Sequence, residues 1–339
     1  MDAELTLFLQ GLQFSHPLPR DPNDRAAFVK RYEAISGVLP EPPVPLKSTN
    51  GAFHLNVLAC GEKTRIEARL YMPDLPKAAP KPELMAFFHG GGWVAGSLAS
   101  HDGLCRQLCA DLKVAIASVH VTIRPEYSFI EPAEQALQVL LTLCKAREKL
   151  GVNTDRLLVG GDGSGAHLGL QAAWRMARQT PGSVDAVLAL TPLVKPDFNT
   201  ASYIRCANSL TFSRDDAVRS WHTLLGGHWE VWDERAVLLH GNQPVQRPPL
   251  VVVIAAEHDG AHDDAAALHD WLKESGARCE FYGAPGMPHD FARMQHASKA
   301  ARHLMLLALN AFASQAGLQS GGHGLSQTAM VDGTLAGRF

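Results

Sequence analysis

The sequence predicts an α/β chain with a mostly parallel central sheet, helices on both faces and a helical cap. Three observations carry this expectation. Short, almost wholly apolar segments recur at 84–88, 114–119, 157–160, 186–190 and 250–255, with a more mixed one at 279–283. Helix-period patterns at 101–112, 131–150, 166–178 and 261–276 separate most of them. Apolar strands alternating with helices imply a parallel sheet buried on both faces, because each crossover lays a helix over it. Finally, a glycine-rich turn follows segment 157–160 and leads straight into a helical pattern.

In chain order, residues 3–14 carry Leu5, Phe8, Leu9 and Leu12 at helical spacing. Residues 24–38 carry Ala27, Phe28, Tyr32, Ile35 and Val38 after an Asp-Pro-Asn-Asp start signal. The proline-rich stretch Pro40 to Pro45 ends this region, so 1–45 reads as an N-terminal helical cap segment. Phe53, Leu55 and Val57 alternate, as do Ile66, Ala68 and Leu70; these predict two antiparallel strands joined by a turn at Gly61-Glu62-Lys63. The α/β core spans 46–197 and 246–316, interrupted by a cap insertion at 198–245. That insertion holds a helix near 213–225 and three tryptophans, Trp221, Trp229 and Trp232, expected to pack as an aromatic core. The segment 317–339 is rich in Gly, Ser and Thr, a composition for a disordered tail or an arm over a neighbour. No internal repeat is present.

Composition narrows the function. At 339 residues the chain can bury a large core, and 46% hydrophobic with 19% charged residues is globular usage. A net charge of −3 argues against nucleic acid or an anionic membrane as partner. No apolar run approaches the ~20 residues of a membrane span. Asp2 and Glu4 stand where a secretion signal would be basic. The six cysteines are scattered without a C-x-x-C pair, which fits reduced thiols and a cytoplasmic location. No GxGxxG follows the first strand, so no dinucleotide is expected. His101, His120 and His167 show no metal-ligand spacing. No cofactor and no metal are therefore expected.

Four constellations carry chemistry. Gly161-Asp162-Gly163-Ser164-Gly165 has the strand–turn–helix context of a nucleophile elbow, G-x-S-x-G, but is off by one. Glycine stands in the nucleophile position and serine follows it. His89-Gly90-Gly91-Gly92-Trp93 follows strand 84–88, and its glycines can turn N–H groups toward one point as an oxyanion hole. Asp259 follows strand 250–255, and His289 follows strand 279–283. Elbow, acid, then histidine is the chain order of a nucleophile–acid–base triad on such a sheet. His289 is the candidate general base and Asp259 its orienting partner.

With these motifs, the chain resembles the hormone-sensitive-lipase family of α/β-hydrolases, which includes many microbial carboxylesterases. The likeness covers roughly 1–315. His89 to Trp93 resembles the family's oxyanion motif, and Thr122-Ile-Arg-Pro-Glu126 stands where the family has a Tyr-Arg-Leu-Ala-Pro-Glu-like run. Ala256-Glu-His-Asp259 with Asp263 and Asp264 resembles its acid loop, and Pro285-Gly-Met-Pro-His289 its histidine loop. The resemblance implies an oxyanion hole from Gly90, Gly91, Gly92 and the Ser164 N–H, a small-molecule ester as substrate, and a possible homodimer. It also marks two departures. The family's elbow is usually Gly-Asp-Ser-Ala-Gly-Gly, so Gly163 replaces its serine. Asp290 replaces the glycine that usually follows the histidine, and is expected to point to solvent; the alternative is a carboxylate that raises the pKa of His289 or binds a cationic group.

Three readings of Gly163 stay open at this stage. In the first, the parent protein has serine at 163 and this chain is an inactivated esterase. In the second, glycine is natural and the site does non-hydrolytic work. His289, Asp259 and the oxyanion donors would then serve an elimination, a cyclisation or ligand binding. In the third, the turn slips and Ser164 is the nucleophile. The expected function is a carboxylic-ester hydrolase of small esters, impaired because Gly163 occupies the nucleophile position.

Overall fold

The apolar runs form strands because each buries both faces of the backbone ribbon. The computed structural model describes residues 1–18, 24–36, 46, 48–49, 52–121, 129–241 and 244–318. Its strands are β1 (Ser48–Thr49), β2 (Phe53–Ala59), β3 (Glu62–Met72), β4 (Leu84–Phe88), β5 (Ala115–His120), β6 (Leu157–Asp162), β7 (Ala186–Leu190), β8 (Leu250–His258) and β9 (Cys279–Pro288). They join one sheet in the order β1-β3-β5-β4-β6-β7-β8-β9, with β2 also paired to β3. Pairing is parallel from β5 through β9 and antiparallel among β1, β2, β3 and β5. In β2, alternate residues Leu55, Val57 and Ala59 are buried, as the period of two requires. The β2–β3 turn sits earlier than expected. Ala59 pairs with Glu62, leaving Cys60 (φ +52°) and Gly61 (φ +82°) as a two-residue turn whose left-handed pair matches the strands' twist.

The helices are α1 (Ala3–Ser15), α2 (Arg25–Ile35), α3 (Asp102–Leu112), α4 (Ile130–Leu150), α5 (Gly163–Gln179), α6 (Ala201–Arg205), α7 (Arg214–Leu225), α8 (His262–Glu274) and α9 (Lys299–Ala316). Leu84, Ala86 and Phe88 of β4 pack on one face with Leu137 of α4, Leu168 of α5 and Leu268 of α8. Met85 and Phe87 pack on the other with Leu5 of α1, Leu104 of α3 and Leu304 of α9. The sequence reading placed no helix at α9, although Ala301, Leu304, Met305, Ala308, Leu309 and Phe312 have helical spacing and are buried. None of the helices among the described residues is long and apolar enough to cross a membrane.

Connections leave β4 toward β5 on one side and leave β6 toward β7 on the other. The carboxyl ends of β4 and β6 therefore flank a topological switch point, where open α/β sheets leave a crevice for ligand. Trp221 of α7 and Phe212 of the loop before it pack over this edge, against Trp93 and His289. Arg31 of α2, 4% exposed, donates to the carbonyls of His16 and Leu210, tying both cap segments together. Of the three cap tryptophans only Trp221 is core, fully buried with its ring centroid 4.9 Å from that of Trp93. Trp229 and Trp232 are 42% and 84% exposed, contrary to expectation. Pro40 to Pro45, Thr122 to Glu126 and the tail from 319 lie outside the described residues.

Candidate active site

Strand register builds the site. Phe88 of β4 pairs with Gly161 of β6, so the loop after Phe88 lies beside the turn after Asp162. Likewise His258 of β8 pairs with Pro288 of β9, which sets Asp259 next to His289. Four loops distant in sequence thus meet at the carboxyl edge of the sheet.

The turn after β6 is sharp. Gly163 has φ +50°, the left-handed region that costs a side chain strain, and it opens α5. A Cβ built on Gly163 would lie 3.2 Å from His289 Nε2 and 3.7 Å from its Cε1. Beyond its own chain neighbours, no other described atom comes within 4 Å of that point. Position 163 therefore faces the imidazole directly, and a side chain there would stand in close contact with Nε2.

His289 is 4% exposed and its Nδ1–H donates to Asp259 Oδ2 at 2.7 Å. Asp259 is 1% exposed, and its Oδ1 accepts the Ala261 N–H at 2.8 Å, which fixes the carboxylate. This pairing leaves Nε2 directed at position 163. Phe212, from the cap, stacks on the imidazole at 4.5 Å with 23° between planes. Asp290 does not point to solvent. It is 3% exposed, with Oδ1 3.8 Å from His289 Nε2 and Oδ2 accepting from Arg293 Nη1 at 3.4 Å. Its φ of +62° turns the side chain inward, a conformation Asp tolerates better than most residues. Burial alone would lower the His289 pKa. The carboxylates of Asp259 and Asp290, with the hydrogen bond to Asp259 and the field of Asp162, outweigh it and raise the value to about 9.

Arg293 extends this group into the cap. Its Nη2 donates to the Tyr32 carbonyl at 2.8 Å and to Ser36 Oγ at 2.6 Å, and its guanidinium lies 3.9 Å above the Tyr32 ring. Beneath the turn, His101 Nε2 donates to Asp162 Oδ2 at 3.2 Å. Burial works against the Asp162 carboxylate, but the nearby His101, its hydrogen bond and Arg293 hold its pKa below the usual value. Sequence reasoning missed Phe212, Arg293 and the Asp162–His101 pair. Only Asp162, adjacent to the turn, carried a local signal.

The glycine loop is braced from below. His89 Nδ1 donates to the Gly90 carbonyl at 2.8 Å, because a carbonyl only accepts, and the bare Nε2 accepts from His120 Nδ1 at 2.9 Å. Burial, with His101 and His120 nearby, lowers the His89 pKa to about 3 and keeps the ring neutral. Gly92 has φ +63°, and a Cβ there would strike Ser220 Oγ of α7 at 2.1 Å, so the cap packs directly on this glycine. The Gly92 N–H donates to Ser164 Oγ at 2.9 Å, and the Trp93 N–H approaches the same oxygen at 3.4 Å. The Ser164 hydroxyl is thereby engaged by the glycine loop.

The arrangement can polarise a carbonyl with backbone N–H groups and move a proton at Nε2. A family model described as alpha/beta hydrolase fold matches residues 85–293, more than half of the chain. The chain is 28% identical over 230 residues to an ethyl acetate hydrolase of Pseudomonas putida, covering 68% of this chain and 72% of that protein. It is 26% identical over 240 residues to the carboxylesterase NlhH of Mycobacterium tuberculosis, covering 67% and 72%. Among solved structures, EstE1, a thermophilic carboxylesterase from a metagenomic library, superposes with TM-score 0.75 at 26% identity, covering 88% and 98%. The hyperthermophilic esterase of the archaeon Pyrobaculum calidifontis superposes with TM-score 0.81 over 93% and 99% of the two chains; at 23% identity this speaks to the fold alone. The chain belongs to the alpha/beta hydrolase fold family.

Proposed function

We propose that the protein is a carboxylic-ester hydrolase scaffold for small esters, slowed by glycine at the nucleophile position. The observation that carries this reading is that a Cβ at 163 would lie 3.2 Å from His289 Nε2, so a side chain there meets the imidazole directly and a hydroxyl on it falls within the base's reach. The ester carbonyl oxygen is held by the N–H groups of Gly91, Gly92 and Ser164; Gly90, expected to be a fourth donor, points its N–H at His101 Nε2, 3.2 Å away. His289 accepts the nucleophile's proton and returns it to the leaving alcohol, while Asp259 holds the ring and stabilises the imidazolium. Without a hydroxyl at 163 no acyl-enzyme forms, and water at Nε2 attacks directly. Binding and the oxyanion donors then leave ~10³–10⁴-fold over the uncatalysed reaction. The engagement of Ser164 Oγ by Gly92 speaks against Ser164 as a substitute nucleophile.

The test compares this chain with Gly163→Ser on p-nitrophenyl acetate and butyrate. The serine form is expected to be faster by at least ~10³-fold. Inactivity of both proteins would refute the ester reading. That result would favour the second reading, a non-hydrolytic reaction on the same dyad. It draws on the carboxylate of Asp290 at 3.8 Å from Nε2, which keeps His289 protonated and suits it to donate a proton.

A further inference from the structure

We propose that Asp290 is a catalytic residue of this glycine-bearing site: its carboxylate takes the proton of the attacking water, and His289 is the acid that protonates the leaving alkoxide. The inference rests on the ester reading above and assigns the base within it.

Three features of the geometry carry it. First, Asp290 Oδ1 lies 3.8 Å from His289 Nε2, on a side chain 3% exposed whose φ of +62° turns it into the site. Second, these two atoms are the free ends of otherwise committed groups. Asp290 Oδ2 accepts from Arg293 Nη1 at 3.4 Å, and His289 Nδ1 donates to Asp259 Oδ2 at 2.7 Å. Oδ1 and Nε2 make no hydrogen bond, and neither belongs to the polar atoms sealed away without a partner, so both keep surface open to water. A base and an acid set side by side in this way fit two neighbouring oxygens of one tetrahedral carbon, the attacking one at Oδ1 and the leaving one at Nε2. Third, position 163 supplies no oxygen of its own, so the nucleophile has to be a water and Nε2 is not engaged by a neighbouring hydroxyl.

The surrounding charges place the proton. Against burial, Asp259, Asp290 and Asp162 raise the His289 pKa to about 9, so at pH 7 Nε2 carries a proton and cannot accept one. Burial raises the Asp290 pKa, opposed by His289, Arg293 and His101 and helped by Asp162, which makes its carboxylate a stronger base than an ordinary one. Tyr32 and Glu33 of α2 complete the set of charged and titratable groups, acting on Arg293.

The step balances with water alone. The water oxygen bonds to the ester carbonyl carbon, and its proton passes to Asp290 Oδ1. The carbonyl π pair moves to the oxygen, held by the glycine-loop N–H groups. As that pair returns, the bond to the alkoxy group breaks, and the leaving oxygen takes the Nε2 proton. The products are the carboxylic acid and the alcohol. Protonated Asp290 then gives its proton back to neutral Nε2, 3.8 Å away, and both groups are restored.

The experiment makes Asp290→Asn in this chain and in Gly163→Ser, and measures kcat/KM for p-nitrophenyl butyrate at pH 7. In this chain the change is expected to cost at least about tenfold, because the base is gone. In Gly163→Ser it is expected to raise the rate by about tenfold, because it frees His289 to act as the base. Asp290→Gly, which also suits the left-handed backbone, serves if the asparagine form does not fold by circular dichroism. His289→Gln in this chain is expected to cost more on phenyl butyrate, whose leaving group is the stronger base, than on the p-nitrophenyl ester. A rise in both backgrounds overturns the inference, since His289 is then the base in each. A fall in both overturns it too, since Asp290 then acts through structure alone. Equal losses on the two esters for His289→Gln overturn the assignment of the acid. A chain that is inert while Gly163→Ser hydrolyses the ester overturns the inference and leaves the ester reading standing. Inertness of both proteins removes the two together.

Discussion

The Gly92 N–H donates to the hydroxyl of Ser164 at 2.9 Å, so a glycine-loop donor is occupied by the residue that follows Gly163. A substrate oxyanion has to displace that hydroxyl, at the cost of about one hydrogen bond, ~1 kcal/mol net. In a Gly163→Ser background, Ser164→Ala is therefore expected to raise kcat/KM for p-nitrophenyl butyrate by about five- to tenfold. A fall of similar size would show the hydroxyl donating to the oxyanion instead.

His289 governs the pH dependence. With its pKa raised to about 9, the neutral base is scarce at pH 7 and becomes dominant above that value. Ester cleavage by Gly163→Ser should accordingly rise through about pH 9. Asp290→Asn removes a carboxylate 3.8 Å from Nε2 and should lower the midpoint of the profile by about one unit. Stability runs the opposite way. The folded pKa lies above the unfolded one, so the contribution of His289 is complete below about pH 6.5. It fades as pH rises toward about 9, and the melting temperature should drop over that window. A profile flat between pH 7 and 10 would contradict the double-carboxylate environment.

Arg293 and Asp290 are both 3% exposed, and the guanidinium, together with His289, works against the burial that raises the Asp290 pKa. Arg293→Met leaves the buried carboxylate with His289 as its closest remaining cationic neighbour, and removing one partner of a buried pair typically destabilises by about 3–5 kcal/mol. Urea unfolding should show this loss, and adding Asp290→Asn should restore part of it, because the second change removes the stranded charge. Additive losses in the double variant would mean the two residues act independently.

Phe212 lies on the imidazole at 4.5 Å and belongs to the cap, so it roofs the space above the dyad. Phe212→Ala in the Gly163→Ser background is expected to raise the ratio of kcat/KM for the hexanoate ester to that for the acetate. It should also cost about 3–5 kcal/mol of stability from the lost ring. An unchanged chain-length preference would place the acyl group elsewhere.

What the sequence determined by itself is local. Apolar runs of five or six residues between helical patterns define strands whose both faces are buried, and this was enough to obtain the parallel sheet from β5 to β9. Glycine at 163 and three glycines after His89 were legible because turns with left-handed backbone have few other solutions. Helix α9 was equally legible, through the spacing of Ala301, Leu304, Met305, Ala308, Leu309 and Phe312 between an N-capping Ser298 and a left-handed Gly317.

What only the tertiary structure decided is which side chains face each other across elements. Asp290 read as a surface carboxylate, yet Arg293 and His289 close over it, because a 3-10 turn from Phe291 folds the arginine back. Trp229 and Trp232 read as core, yet the cap leaves them outside, since Trp221 alone reaches Trp93. The stack of Phe212 on His289 and the bond from Gly92 to Ser164 join residues 77 and 72 positions apart, which no local pattern encodes. Periodicity reports how one segment meets an average interior. The partners of a buried charge or hydroxyl depend on strand register and loop closure, and those are settled only when the whole sheet is assembled.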